Sequence, residues 1–94
     1  MSEKSNRIIV TVIGADRVGI IAGVATVLAE ANANIVDISQ TTLREFFTMI
    51  LMADLSQATI PFDELKRRLT EKGEEMGVKI DAQHEDVFKY MHRV

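Results

Sequence analysis

Three segments of this 94-residue chain carry residue types that could do chemistry. The first is Gly14-Ala15-Asp16-Arg17-Val18-Gly19-Ile20, where a carboxylate and a guanidinium stand between two glycines. If a helix begins here, its first backbone amides lack intrahelical acceptors, and its dipole favours an anionic group. Asp16 then has two compatible roles: it caps the helix by accepting from the amides of Val18 or Gly19, or it accepts from a cationic group of a ligand. Gly14 reads as a turn glycine with positive φ. Gly19 permits either tight helix–loop packing or close approach of a ligand to the backbone. The second segment is Asn32-Ala33-Asn34, in which the Asn34 side-chain carbonyl is an acceptor or simply ends a turn. The third places Asp81, Glu85 and Asp86 near His84 and His92. Its spacing matches no metal-ligand pattern, so neither a metal nor another cofactor is expected. Ser39 has no neighbouring histidine in sequence, and no nucleophile–base set is legible.

The elements that must position these residues follow from the apolar spacing. Residues 1–6 form a polar lead-in expected to be disordered, and residues 7–94 form one domain. Arg7–Ile13 is a β-branched run that predicts a central strand ending at Gly14. A helix is predicted over Val18–Ala31, with Ile20, Val24, Val27, Leu28 and Ala31 on one face and an end at Asn32-Ala33-Asn34. Gly23, inside this helix, implies close packing against the sheet or another helix. Ile35–Leu43 is more polar and predicts an edge strand. Arg44-Glu45 makes a short turn into an apolar strand over Phe46–Leu55. Pro61 suits the first turn of a second helix, whose apolar positions Phe62, Leu65, Leu69, Gly73 and Met76 precede a stop at Gly77. Val78, Ile80 and Ala82 alternate with polar residues in a last, half-buried strand, and Asp86–His92 predicts a short helix. The order is β-α-β-β-α-β plus a terminal helix. This is the α+β, ferredoxin-like arrangement, with a four-stranded antiparallel sheet and two helices on one face.

Composition narrows the function classes. Eleven basic and 14 acidic residues give a net charge of −3, which disfavours nucleic acid and anionic membrane surfaces as partners. There are no cysteines, hence no disulfides and no thiolate chemistry. No secretory leader and no apolar run of spanning length is visible, so a cytoplasmic location is expected.

The apolar pattern also poses a problem. The first strand carries Ile8, Val10 and Val12 on one side and Ile9 and Ile13 on the other. The Phe46–Leu55 strand sets Phe47, Met49, Leu51 and Ala53 against Phe46, Ile50 and Met52. Strands apolar on both sides belong in sheets covered on both sides. Either the terminal helix, through Val87, Phe88 and Met91, or a second subunit must lie on the face the two helices leave open.

The segments Ile13–Ile20 (IGADRVGI), Asn32–Gln40 (NANIVDISQ) and Ile38–Met49 (ISQTTLREFFTM) resemble an ACT domain. The resemblance extends over nearly the whole chain. It is strongest to short stand-alone ACT proteins and to the ACT halves of the glycine cleavage system's transcriptional regulator. It implies a regulatory module, not an enzyme, that binds a small molecule, typically an amino acid, at a homodimer interface. The site it implies lies between the β1–α1 loop of one subunit (Gly14, Asp16, Arg17, Val18, Gly19, Ile20) and the start of the partner's second strand (Asn34, Ile35, Val36), with sheets paired side by side. The chemistry agrees: a zwitterion needs donors for its carboxylate, which the helix amides supply, and acceptors for its ammonium, which Asp16 and Asn34 supply.

Two other readings use the same fold order. An acylphosphatase-like hydrolase would need an aromatic-then-arginine ending to the loop, where Ile20-Ile21 stand, and an asparagine in the middle strands, where Phe46–Leu55 has none. A ligand-free protein–protein adaptor needs only the interface. The regulated partner itself is not legible.

Overall fold

The computed structural model describes residues 6–15 and 18–91. Its elements run β1 (Arg7–Ala15), α1 (Ile20–Glu30), β2 (Asn34–Leu43), β3 (Phe46–Asp54), α2 (Phe62–Met76), β4 (Lys79–His84) and α3 (Glu85–Met91). The sheet order is β2-β3-β1-β4 and every neighbouring pair is antiparallel. The two most apolar strands are therefore central, and the polar β2 lies at an edge. Asn6, expected in the lead-in, extends the ladder: its carbonyl accepts from the Leu55 amide at 2.8 Å.

Strand alternation decides the layers. Ile8, Val10 and Val12 of β1 and Phe47, Met49, Leu51 and Ala53 of β3 point toward the helices and are buried. They meet Ile20, Val24, Val27 and Leu28 of α1 and Leu65 and Leu69 of α2. Each such aliphatic side chain contributes roughly 1.5–3 kcal/mol relative to leaving it in water. The 3.6-residue period of α1 thus becomes one stripe facing one sheet face.

Glycines sit where backbones crowd. A Cβ on Gly23 would lie 2.6 Å from Met76 Sδ, so α1 packs here on α2 and not on the sheet. Gly14 departs from its expected role. It lies inside β1 without positive φ, and a Cβ there would sit 2.7 Å from Val78 Cγ1. What demands a glycine is the approach of Val78, not a turn. Gly77 ends α2 in the left-handed conformation at φ 76°.

α3 reaches the opposite sheet face at its Arg7 end, where Glu85 binds Arg7, Phe88 is half-buried and Ile9 is 6% exposed, and leaves the loop end of that face open. That helix packs beside β1 and β4, where its first residue, Glu85, is buried. Val87 is exposed, and the Met91 side chain lies outside the described residues. Ile13, Phe46 and Ile50 remain 54%, 56% and 44% exposed.

Candidate functional site

The β1–α1 connection is the local feature on which the expected site rests. Asp16 and Arg17 lie outside the described residues. Val18 is fully exposed, and Gly19 follows at φ 93°, ψ −2°, a conformation that L side chains rarely adopt. Gly19, not Asp16, is the N-cap, so α1 starts at Ile20 and ends at Glu30 instead of spanning Val18–Ala31. The first α-helical bond runs from the Gly23 amide to the Gly19 carbonyl at 2.8 Å. The amides of Ile20, Ile21 and Ala22 therefore have no intrahelical acceptor. No acidic residue occupies the first turn of α1.

These residues border a concavity of about 670 Å³ lined by Gly19, Ile20, Ile21, Ala22, Gln40, Thr42 and Phe47. A Cβ built on Gly19 meets nothing within 4 Å, so the loop opens to space. The Ile20 side chain is in the core, and only its backbone is offered. Gln40 and Thr42, which the sequence did not single out, put an amide and a hydroxyl on the wall. Their placement follows from a β-bulge between Ile35 and Asp37. Beyond it, Ile38, Gln40 and Thr42 pair with Leu51, Met49 and Phe47 and share their helix-side face. The alternation of β2 by itself carries no signal for this placement, because the bulge sets it.

The other half of the expected site is distant. Asn34 and Ile35 pair with Asp54 and Ala53, at the end of β2 remote from the loop. Gly14 and Thr42 both pair with Phe47, at the loop end. Eight residues of strand separate Asn34 from Thr42, roughly 26 Å at the usual rise. One chain does not bring the two halves together. Asn34, Ile35 and Val36 are all exposed, and so is every other residue of β2.

Elsewhere, Ser39 and His84 sit on opposite edge strands, three strand spacings or about 14 Å apart, and on opposite faces. The His84 ring lies against Phe62, with centroids 4.4 Å apart. His92 is outside the described residues. Among the described residues, no helix is long and apolar enough to cross a membrane.

A family model for the ACT domain matches residues 6–83. The chain belongs to the ACT-domain family. A UPF0237 protein of Methanocaldococcus jannaschii is 55% identical over 89 residues, covering 95% of this chain and 99% of that protein. An ACT domain protein from Streptococcus pneumoniae superposes with a TM-score of 0.78 at 39% identity, over 90% of this chain and 96% of that one. A structure described as a glycine cleavage system transcriptional repressor shares the fold at TM-score 0.72 and 21% identity, over 82% of this chain and 44% of the repressor's. The four-stranded ACT sheet with its helices on one face is thus the frame that holds the loop, the concavity and the exposed edge of β2.

Proposed function

We propose that this ACT domain is a regulatory module that binds a small zwitterion, an amino acid, in a site completed by two copies of the chain. One observation carries the reading: the loop and Asn34–Val36 occupy opposite ends of an edge strand whose outer side is unpaired. If two copies pair antiparallel through β2 about its midpoint, Asn34–Val36 of the partner subunit come level with residues 41–43, at the loop end of the strand. Edge strands offer unpaired backbone groups as a template for such pairing. The eight-stranded sheet then has two equivalent pockets.

In each, the amides of Ile20, Ile21 and Ala22 and the dipole of α1 receive the carboxylate. Gln40 and Thr42 orient it. The Asn34 side-chain carbonyl of the partner subunit accepts from the ammonium, with Asp16 as a second acceptor. The role of Asp16 rests on its place in the loop sequence alone. Because ligand and partner share one interface, occupancy and assembly are linked, and the ligand selects one dimer geometry. The domain then signals to a protein that recognises that geometry.

The test is a thermal-shift screen of the wild-type chain against the common amino acids, followed by calorimetry. At least one raises the melting temperature, and Asn34→Ala and Gln40→Ala each weaken it about tenfold or more. No stabilisation by any of them overturns the amino-acid reading and leaves the adaptor.

A further inference from the structure

We propose that the sheet face turned away from α1 and α2 is a second self-association surface, on which another copy of the chain packs face to face about a two-fold axis parallel to the strands. It uses the side chains of the sheet face instead of the backbone edge of β2, and it stands whether or not an amino acid binds.

The centre of this face is apolar apart from Thr11 and Thr48 on the two middle strands, and its margins are polar, as in interfaces between folded chains. Ile9, Ile50 and Met52 lie side by side on β1 and β3, with Ile13 and Phe46 toward the loop end. Ile9 is only 6% exposed, whereas Ile50, Ile13 and Phe46 remain open to solvent. Beside them, next to the β2 bulge, a hollow of about 140 Å³ lined in part by Ile9, Ser39, Ile50 and Met52 leaves room for a facing side chain.

What identifies the occupant as a second copy is the match of the two margins. Through the registers of β2-β3-β1-β4, Asp37 of β2 is level with Gln83 of β4, Ser39 with Asp81, and Thr41 with Lys79. A two-fold axis along the strands lays β2 of one copy over β4 of the other at the same level. Asp37 then meets an amide, Asp81 a hydroxyl and Lys79 a hydroxyl, with no like charges opposed. In the centre, Met52 meets Ile9. The alternative axis, which reverses the strand ends, stacks Asp81 on its own copy and leaves an aspartate pair in the interface. Like charges so placed oppose association. Aligned packing of two sheets about 10 Å apart accommodates the first arrangement.

Sedimentation velocity of the full chain over a concentration series tests this. Ile50→Lys sets a charge in the apolar centre and is expected to weaken association about tenfold or more, with an unchanged far-ultraviolet spectrum, because Ile50 is exposed in a lone subunit. Thr41 supplies the second measurement. Thr41→Glu, opposite Lys79 of the partner subunit, tightens association about two- to fivefold, and Thr41→Lys weakens it by a similar factor. The end-reversing axis puts Thr41 opposite Asp37 and predicts the opposite signs. A wild-type chain that stays monomeric, an Ile50→Lys chain that associates like the wild type, or reversed signs at Thr41 overturns the proposal. Ile50 lies outside the proposed amino-acid site, so the thermal-shift screen repeated on Ile50→Lys separates the two: stabilisation by an amino acid with unchanged association overturns this surface alone, and weakened association without any such stabilisation overturns the amino-acid reading alone.

Discussion

The Arg7 guanidinium grips the Glu85 carboxylate with two hydrogen bonds, Nε to Oε1 at 3.1 Å and Nη2 to Oε2 at 2.8 Å, and so joins the first residue of β1 to the first residue of α3. Glu85 is 5% exposed, while the Arg7 side chain is about half open to water. Replacing the arginine takes both bonds from a nearly buried carboxylate whose Lys89 neighbour is more distant, at 3.9 Å. Arg7→Met is expected to cost about 2 kcal/mol, below the range for fully buried pairs because Arg7 keeps solvent contact. Adding Glu85→Met should cost less than the sum of the two single changes. Urea unfolding at one fixed protein concentration measures both, since association shifts apparent stability.

The glycine contacts predict a contrast. At Gly14 an added methyl meets the β-branched Val78, and at Gly73 it meets the Val78 carbonyl oxygen at 2.8 Å. Neither neighbour yields easily, so Gly14→Ala and Gly73→Ala are each expected to destabilise by about 1–3 kcal/mol. At Gly23 the neighbour is the flexible end of Met76, and alanine recovers helix propensity of about 1 kcal/mol. Gly23→Ala is therefore expected to be within about 1 kcal/mol of neutral. Thermal melts of the three variants rank them.

These glycines also mark what the sequence did and did not make legible. The two-sided apolar pattern of β1 separates Ile8, Val10 and Val12 from Ile9 and Ile13, and the structure puts the two sets on opposite faces as read. Periodicity carries that information because a strand alternates strictly. Gly14 follows an apolar run and so looks like a stop, whereas its cause, Val78, lies 64 positions further along the chain. Gln40 and Thr42 were missed for a related reason. Uninterrupted alternation from Ile35 would put Asp37, Ser39 and Thr41 on the helix side, and the bulge at Val36 reverses that parity. A bulge is set by pairing with another strand, so no reading of β2 alone reveals it.

Acid should act on the exposed face of α2. Glu64 accepts from Arg67 and from Arg68, and these bonds hold its carboxyl below the ordinary value of 4.5, against a smaller opposing effect of desolvation. Asp54 is lowered likewise, first by the Ser56 hydroxyl and then by the Ser56 amide. A folded-state value below the unfolded one means stability that is complete above about pH 4.5 for Glu64 and is lost as pH falls through the lowered value. Glu64→Gln is therefore expected to lower the melting temperature modestly at pH 7, where the contribution is complete, and to converge with the wild type in acid, which flattens the fall below pH 4.5. Added salt should shrink the difference, because the group is solvent-exposed. An acid limb identical to that of the wild type would contradict this.

A site shared between chains has a signature that a site within one chain lacks. Gln40 belongs to the loop-end half and Asn34 to the half supplied by the partner. Suppose Gln40→Ala and Asn34→Ala chains, each defective alone, are mixed in equal amounts and allowed to exchange. Random pairing makes about half of the dimers mixed. In a mixed dimer one pocket collects both lesions. The other joins the intact Gln40 of one chain to the intact Asn34 of its partner. About a quarter of all pockets are then restored, and calorimetry should recover that fraction of wild-type sites at wild-type affinity. If both residues served a pocket inside one chain, mixing would restore nothing. The roughly 20 Å of strand between them is too far for one chain to bring both to a single amino acid.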